Sequence, residues 1–144
     1  MFQPSREQAR RFFFDAWQRH REGAPLQPLQ QVALEIMLLH PEYHAMLEQP
    51  DAYVDRDYTP ESGGMNPFLH LSLHLAVDEQ LSVDRPPGVR AAFERLVLTR
   101  GDRHHALHEL LDCLGETLWQ AQRLNRMPDE QAYLDCLARR AGGG

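Results

Sequence analysis

The chain has 144 residues, a length that allows one ordinary domain able to bury roughly two-thirds of its unfolded-chain surface. Hydrophobic residues make up 42% and charged residues 25% of the composition, which is typical of a soluble globular protein and excludes a disordered or fibrous chain. Fifteen basic residues against 21 acidic ones give a net charge of −6, so we expect no binding to nucleic acid or to an anionic membrane surface.

The two cysteines and the hydropathy pattern bear on the cellular compartment. Cys113 and Cys136 are far apart in the sequence and lack a CxxC spacing, so they are predicted to be reduced thiols rather than a disulfide framework or a zinc site. No apolar run approaches the roughly 18 residues that a membrane span needs, and the N-terminus lacks the apolar region of a signal peptide. We therefore expect a cytoplasmic protein without a membrane segment.

The composition favours helix along the whole chain. β-Branched residues are sparse, whereas leucine, alanine, glutamine, glutamate and arginine dominate. The predicted fold is all-α, a compact bundle of five to seven helices that forms a single domain over residues 1–141. The glycines at 142–144 are expected to be a flexible tail.

Two helices are predicted in the first third of the chain. The first begins after Ser5, which makes a capping-box pattern with Gln8, and ends near His20. The second begins at Pro28 and is interrupted at Pro41, because proline lacks the amide that would extend the helix. The chain therefore either kinks at this point or ends one helix and begins another.

The remaining elements follow a long connection predicted over residues 49–64, which lacks an extended apolar period. Asn66-Pro67 is a strong helix start, and the helix over 67–81 is apolar nearly all round, as is typical of a buried central helix. Three further helices are predicted over 89–99, from 102 to about 123, and from Asp129 to about 140.

Six of the eight histidines form three pairs with i, i+4 spacing: His40 and His44, His70 and His74, and His104 and His108. This spacing places two imidazoles on one helix face, where they can share a metal ion. The helical wheel places the pairs on or beside apolar stripes, so the rings are expected to face the interior or a cleft. A buried imidazole is costly unless its ring nitrogens have partners. The sequence therefore predicts a histidine-rich metal site, whereas His20 and His105 are expected on polar faces.

Three carboxylates near these pairs are candidate metal ligands or partners of the ligands: Glu79, Asp112 and Glu116. A nitrogen-rich set without thiolates suits a transition metal, with zinc or iron expected, nickel or copper as alternatives, and one or two ions per site. An open coordination position would activate water for hydrolysis of a small-molecule substrate, with Glu79 or Glu116 as the general base. Iron would instead indicate redox chemistry.

Two other hypotheses explain the same residues. The protein is a helical interaction or assembly module, with structural histidines and an aromatic helix at Phe12–Trp17 that docks a protein partner, including a second copy in a homodimer. Alternatively, two histidines on facing helices ligate haem, without the CxxCH motif of covalent attachment.

Long motifs resemble a known family. They are the opening segment 1–13, HPEYH at 40–44, DRDY at 55–58, NPFLHLSLHLA at 66–76, EQ at 79–80 and CLGE at 113–116. Together they resemble the proteobacterial domain of unknown function family 1841 over nearly the whole chain. The resemblance implies a short, cytoplasmic, single-domain bacterial protein, and it supplies no catalytic residues.

Overall fold

The computed structural model describes residues 6–56, 58 and 66–142. Within these residues the chain forms no β-strand and eight α-helices: α1 (Arg6–Glu22), α2 (Pro28–Leu38), α3 (His44–Leu47), α4 (Pro50–Tyr53), α5 (Pro67–Val83), α6 (Val89–Arg100), α7 (Arg103–Arg123) and α8 (Glu130–Arg140). The all-α prediction is confirmed. The helix count exceeds the predicted five to seven because α3 and α4 are four-residue turns, too short to show a hydrophobic period.

The chain divides by its internal contacts into two units, Met1–Leu75 and Ala76–Gly144, and the boundary falls within α5. The single domain over residues 1–141 stays a prediction. Three features predicted from the sequence lie outside the described residues: the cap at Ser5, the part of the connection at 59–65, and the glycines at 143–144. None of the helices in the described ranges is long and apolar enough to cross a membrane.

Aromatic side chains of α1 build the core of the first unit. Phe13, Phe14 and Trp17 are buried together with residues of α2, α3 and α5. The Phe14 ring lies edge-on to the ring of Phe68, with 5.6 Å between centroids. Because these α1 side chains are buried, they do not form the exposed apolar patch that the interaction hypothesis expects at Phe12–Trp17.

A buried arginine ties α1 to the segment that follows α4. Arg10 is 2% exposed, and its Nη1 donates hydrogen bonds to three backbone carbonyls, those of Tyr53 (3.2 Å), Val54 (3.0 Å) and Arg56 (2.7 Å). Its guanidinium also lies 4.6 Å from the centroid of the Phe68 ring. The first part of the predicted connection is therefore ordered by α4 and by this side chain, which donates hydrogen bonds to backbone carbonyls at the end of α4 and just after it.

The second helix is interrupted where the sequence predicts it. α2 begins at Pro28 and ends at Leu38, and Pro41 begins a three-residue 3₁₀ turn. His40 precedes this proline and has φ −124° and ψ 69°, outside the helical region, because a residue before proline is disfavoured in the α conformation. This break determines where the histidines on either side of it point.

The second unit contains α6, α7 and α8, with predicted caps at two helix starts. The Asp102 carboxylate accepts from the backbone amide of His104, and the Asp129 carboxylate accepts from that of Ala132.

On the inner side of α7, Glu109 accepts two hydrogen bonds from Arg100, at 2.6 and 2.9 Å. These bonds lower the pKa of Glu109 below its ordinary value, so the buried carboxylate stays ionised.

Cys113 on α7 and Cys136 on α8 form a disulfide, with their Cα atoms 5.9 Å apart. The prediction of two reduced thiols is therefore wrong. A disulfide requires Cα atoms within roughly 4.4–6.8 Å, a condition set by how the two helices pack and not by the spacing of the cysteines in the sequence.

Candidate metal centre

Two of the histidines lie on the N-terminal half of α5. Asn66 sets the start of this helix, since its Oδ1 accepts from the backbone amides of Phe68 (2.9 Å) and Leu69 (3.3 Å). His70 and His74 follow on one face, and their ring centroids are 4.8 Å apart. His70 is half-buried and His74 is 7% exposed, so both rings are shielded from solvent to a large extent.

His40 approaches the same point from the break after α2. It is 4% exposed, and its Nδ1 lies 2.8 Å from the carbonyl oxygen of Ile36. Because a carbonyl oxygen can only accept, Nδ1 carries the proton in this hydrogen bond. In the neutral ring, the other nitrogen, Nε2, therefore presents a lone pair, and an imidazole nitrogen in this state can bind a metal ion.

The three imidazoles of His40, His70 and His74 form a nearly regular triangle, which we name the imidazole triad. Ring centroids are 5.0 Å apart for His40 and His70, 4.9 Å for His40 and His74, and 4.8 Å within the α5 pair. One ring nitrogen from each lies within 4.8 Å of the others. The Nε2 atoms of His40 and His70 are 3.2 Å apart, close to the ~3.3 Å between ligands of a tetrahedral zinc ion with bonds of about 2.0–2.1 Å.

Aromatic packing supports one side of the imidazole triad. The Tyr43 ring stacks on His40 with 5.5 Å between centroids and an interplanar angle of 5°. Burial raises the pKa of Tyr43 above its ordinary value, and the neighbouring Glu42 carboxylate raises it further. Tyr43 therefore remains a neutral phenol at physiological pH and adds no negative charge beside the imidazoles.

His44 points away from the imidazole triad. Its Nε2 lies 2.8 Å from the carbonyl oxygen of Met37, so Nε2 carries a proton and donates it. Its ring packs on Trp17 of α1, with 4.5 Å between centroids. The i, i+4 spacing from His40 does not place the two rings together because the Pro41 turn lies between them.

The other predicted site residues belong to the second unit. His104 is exposed and His108 half-buried on α7, and their ring centroids are 4.4 Å apart. Glu79 is exposed on α5, Asp112 forms an ion pair with Arg140 at 3.4 Å, and Glu116 lines a cavity between α7 and α8. Their roles as ligands or bases stay predictions. His20 and His105 are exposed, in line with their expected positions on polar faces.

The partners that orient the first histidine pair are backbone groups. The carbonyls of Ile36 and Met37 belong to the last turn of α2, where a helix leaves acceptors without a full set of intrahelical donors. A signal for them exists in the sequence, namely a histidine directly after a helix that stops before proline. The sequence alone does not tell which ring nitrogen meets which carbonyl.

Comparison with known proteins identifies a family. A family model described as Domain of unknown function (DUF1841) matches residues 5–139. No curated protein and no solved structure matches the chain. The match covers nearly the whole sequence, including all three histidines of the imidazole triad. The chain therefore belongs to the DUF1841 family of domains of unknown function.

Proposed function

We propose that this protein binds a transition-metal ion, zinc in the first place, through the side chains of His40, His70 and His74. The observation that carries the proposal is the convergence of three buried or half-buried imidazoles from two separate elements, with ring nitrogens within 4.8 Å of one another. Imidazole nitrogen is a preferred ligand of zinc.

The hydrogen bond of His40 supports this role. Metal-binding histidines commonly donate their second ring N–H to a carbonyl or carboxylate, which fixes the tautomer and the orientation of the ring. The Nδ1–H of His40 makes this bond with the Ile36 carbonyl at 2.8 Å. Its Nε2 is thereby held toward the Nε2 of His70, as a ligand pair requires.

The composition of the triad favours zinc over iron and haem. Non-haem iron sites of the common kind combine two histidines with one carboxylate, whereas the group found among the described residues contains imidazoles only. In a bis-histidine haem the two ligands stand on opposite sides of the iron, roughly 4 Å apart at bond lengths near 2.0 Å each. The 3.2 Å between His40 and His70 is too short for that arrangement.

A four-coordinate zinc ion takes one ligand beyond these three. The sequence predicts that His104 or His108 also contributes a ligand, and a water molecule is the alternative that would give hydrolytic chemistry. Replacement of His108 with alanine separates the two. It should lower zinc affinity by more than tenfold if the side chain is a ligand, and by less than threefold if water completes the site.

The test is a metal titration of chelator-stripped protein, with zinc followed by calorimetry and cobalt followed by visible absorption. The wild type should bind one equivalent, and His70→Ala or His74→Ala should weaken binding by at least about 100-fold, because each removes a ligand. His44→Ala is the matched control, since its ring is turned to Trp17, and it should bind like the wild type. Equal affinity in all four proteins would refute the proposal.

A further inference from the structure

A cavity of about 270 Å³, the one that Glu116 lines, lies between α7 and α8 of the second unit. Its lining contains both half-cystines and four charged side chains: Cys113, Cys136, Glu116, Arg126, Asp129 and Arg139. Cys113 is fully buried, whereas Cys136 is 7% exposed. The disulfide therefore borders a cavity instead of being sealed in the core, and Cys136 is the more exposed of its two residues.

The charges of the cavity indicate the kind of molecule that fits it. Two arginines attract carboxylates, and Glu116 with Asp129 attracts an ammonium group. The volume lies just below the range of roughly 300–1,000 Å³ found for pockets of drug-sized ligands, so the ligand is small. A zwitterion of the size of an amino acid or short peptide meets both requirements.

We propose that the Cys113–Cys136 disulfide is an exchange site for a low-molecular-weight thiol that carries both carboxylate and ammonium groups. This proposal is independent of the metal site. It assigns the charged side chains around the disulfide a role in binding the incoming thiol, and it makes Cys136 the residue that becomes modified.

The exchange runs in two steps. The incoming thiolate attacks Sγ of Cys136, the disulfide bond breaks, and its electron pair leaves with Sγ of Cys113, which takes a proton from water. The product is a mixed disulfide on Cys136. A second thiolate then attacks the sulfur of the bound thiol, so that Cys136 leaves as a thiolate and the two small thiols depart as one oxidised dimer. The protein disulfide is reduced to two thiols, and two small thiols are oxidised.

The experiment compares two thiols of different charge. Native protein is treated with glutathione or with uncharged 2-mercaptoethanol, the reaction is stopped with acid, and the products are followed by mass spectrometry. The R126Q/R139Q variant should react with glutathione about three- to tenfold more slowly than the wild type, because two positive charges are lost, and with 2-mercaptoethanol at the unchanged rate. R95Q is the matched control, since Arg95 is an exposed arginine of α6 that does not line the cavity, and it should react like the wild type.

The site of the adduct gives a second, independent readout. Peptide mapping should place glutathione on Cys136 in the wild type. When the single-cysteine variants are treated with oxidised glutathione, whose disulfide the free protein thiol attacks with release of one reduced glutathione, C113S should form the mixed disulfide much faster than C136S does. The proposal is overturned if the double arginine variant slows both thiols equally or neither, if the adduct forms on Cys113, or if the disulfide opens only in denaturant. Circular dichroism checks that each variant is folded before the rates are compared.

Discussion

The two histidine pairs of the first unit have the same spacing and opposite outcomes. His70 and His74 lie side by side on α5, with ring centroids 4.8 Å apart, and both belong to the imidazole triad. His40 and His44 separate: His40 turns to the α5 pair, whereas His44 turns to Trp17 and bonds the Met37 carbonyl. The difference arises from the backbone, because Pro41 ends the helical path between them.

An i, i+4 spacing therefore predicts a shared ligand face only where the helix is continuous. His104 and His108 on α7 illustrate the continuous case in the second unit, with ring centroids 4.4 Å apart. Where the helix is broken, as it is at Pro41, the two rings of an i, i+4 pair make separate contacts: His40 bonds the Ile36 carbonyl and His44 bonds the Met37 carbonyl. The broken pair supplies a single imidazole to the triad, and its other member helps to fix α1 against the chain after α2.

The largest expected effect is metal-dependent stabilisation. With free zinc at 100 times the dissociation constant, the free energy of unfolding of the wild type should rise by about 2.7 kcal/mol, since the ion binds only the folded triad. His74→Ala should lose this increment, and His44→Ala should keep it. Chemical denaturation with zinc and with a chelator measures both. An equal zinc-dependent increment in the two variants would contradict this account, because His74 and His44 would then contribute alike to zinc binding.

The second prediction concerns Pro41. Its replacement with alanine permits α2 to continue, and the backbone amide of His40 would then bond the Ile36 carbonyl that the His40 ring now uses. We expect zinc affinity to fall by about tenfold, the size of effect seen when a ligand's hydrogen-bond partner is lost. Calorimetric titration of the variant tests this, with Pro28→Ala at the start of the same helix as the control. Unchanged affinity would show that the break does not position His40.

The third prediction involves no change in sequence. In the metal-free protein His40 should be the Nδ1–H tautomer and His44 the Nε2–H tautomer, because each donates to a carbonyl through that nitrogen. His70 should donate from Nε2 to the lone pair of His40 and should change to the Nδ1–H tautomer when zinc takes its Nε2. Long-range ¹H–¹⁵N correlation spectra distinguish the two tautomers. The same tautomer at His40 and His44 would contradict the hydrogen bonding described above.

Local signals in the sequence predict much of the fold. Pro28, Asn66-Pro67 and Asp102 each mark a helix start within a residue or two, because capping and proline chemistry act over a single turn. The four-residue helices α3 and α4 are too short to show a period. The Cys113–Cys136 disulfide is not predictable from the sequence for a different reason, since it depends on the packing of α7 against α8.

The candidate metal site is also predictable from the sequence only in part. The spacing of His70 and His74 on a nearly all-apolar helix predicts that they share a face and point inward. The orientations of His40 and His44 depend on ψ at a single residue before Pro41, and on which carbonyl of α2 each ring meets. A helical wheel assumes one unbroken helix, so it cannot separate these two histidines.

The most direct test of the central claim is X-ray absorption at the zinc edge of the loaded protein, compared with the H70A/H74A double variant. The imidazole triad predicts nitrogen ligands at about 2.0–2.1 Å, with the outer scattering of at least three imidazole rings, and the loss of that pattern in the double variant. A spectrum dominated by oxygen ligands without imidazole scattering, or one that the two substitutions leave unchanged, would contradict a metal site at His40, His70 and His74.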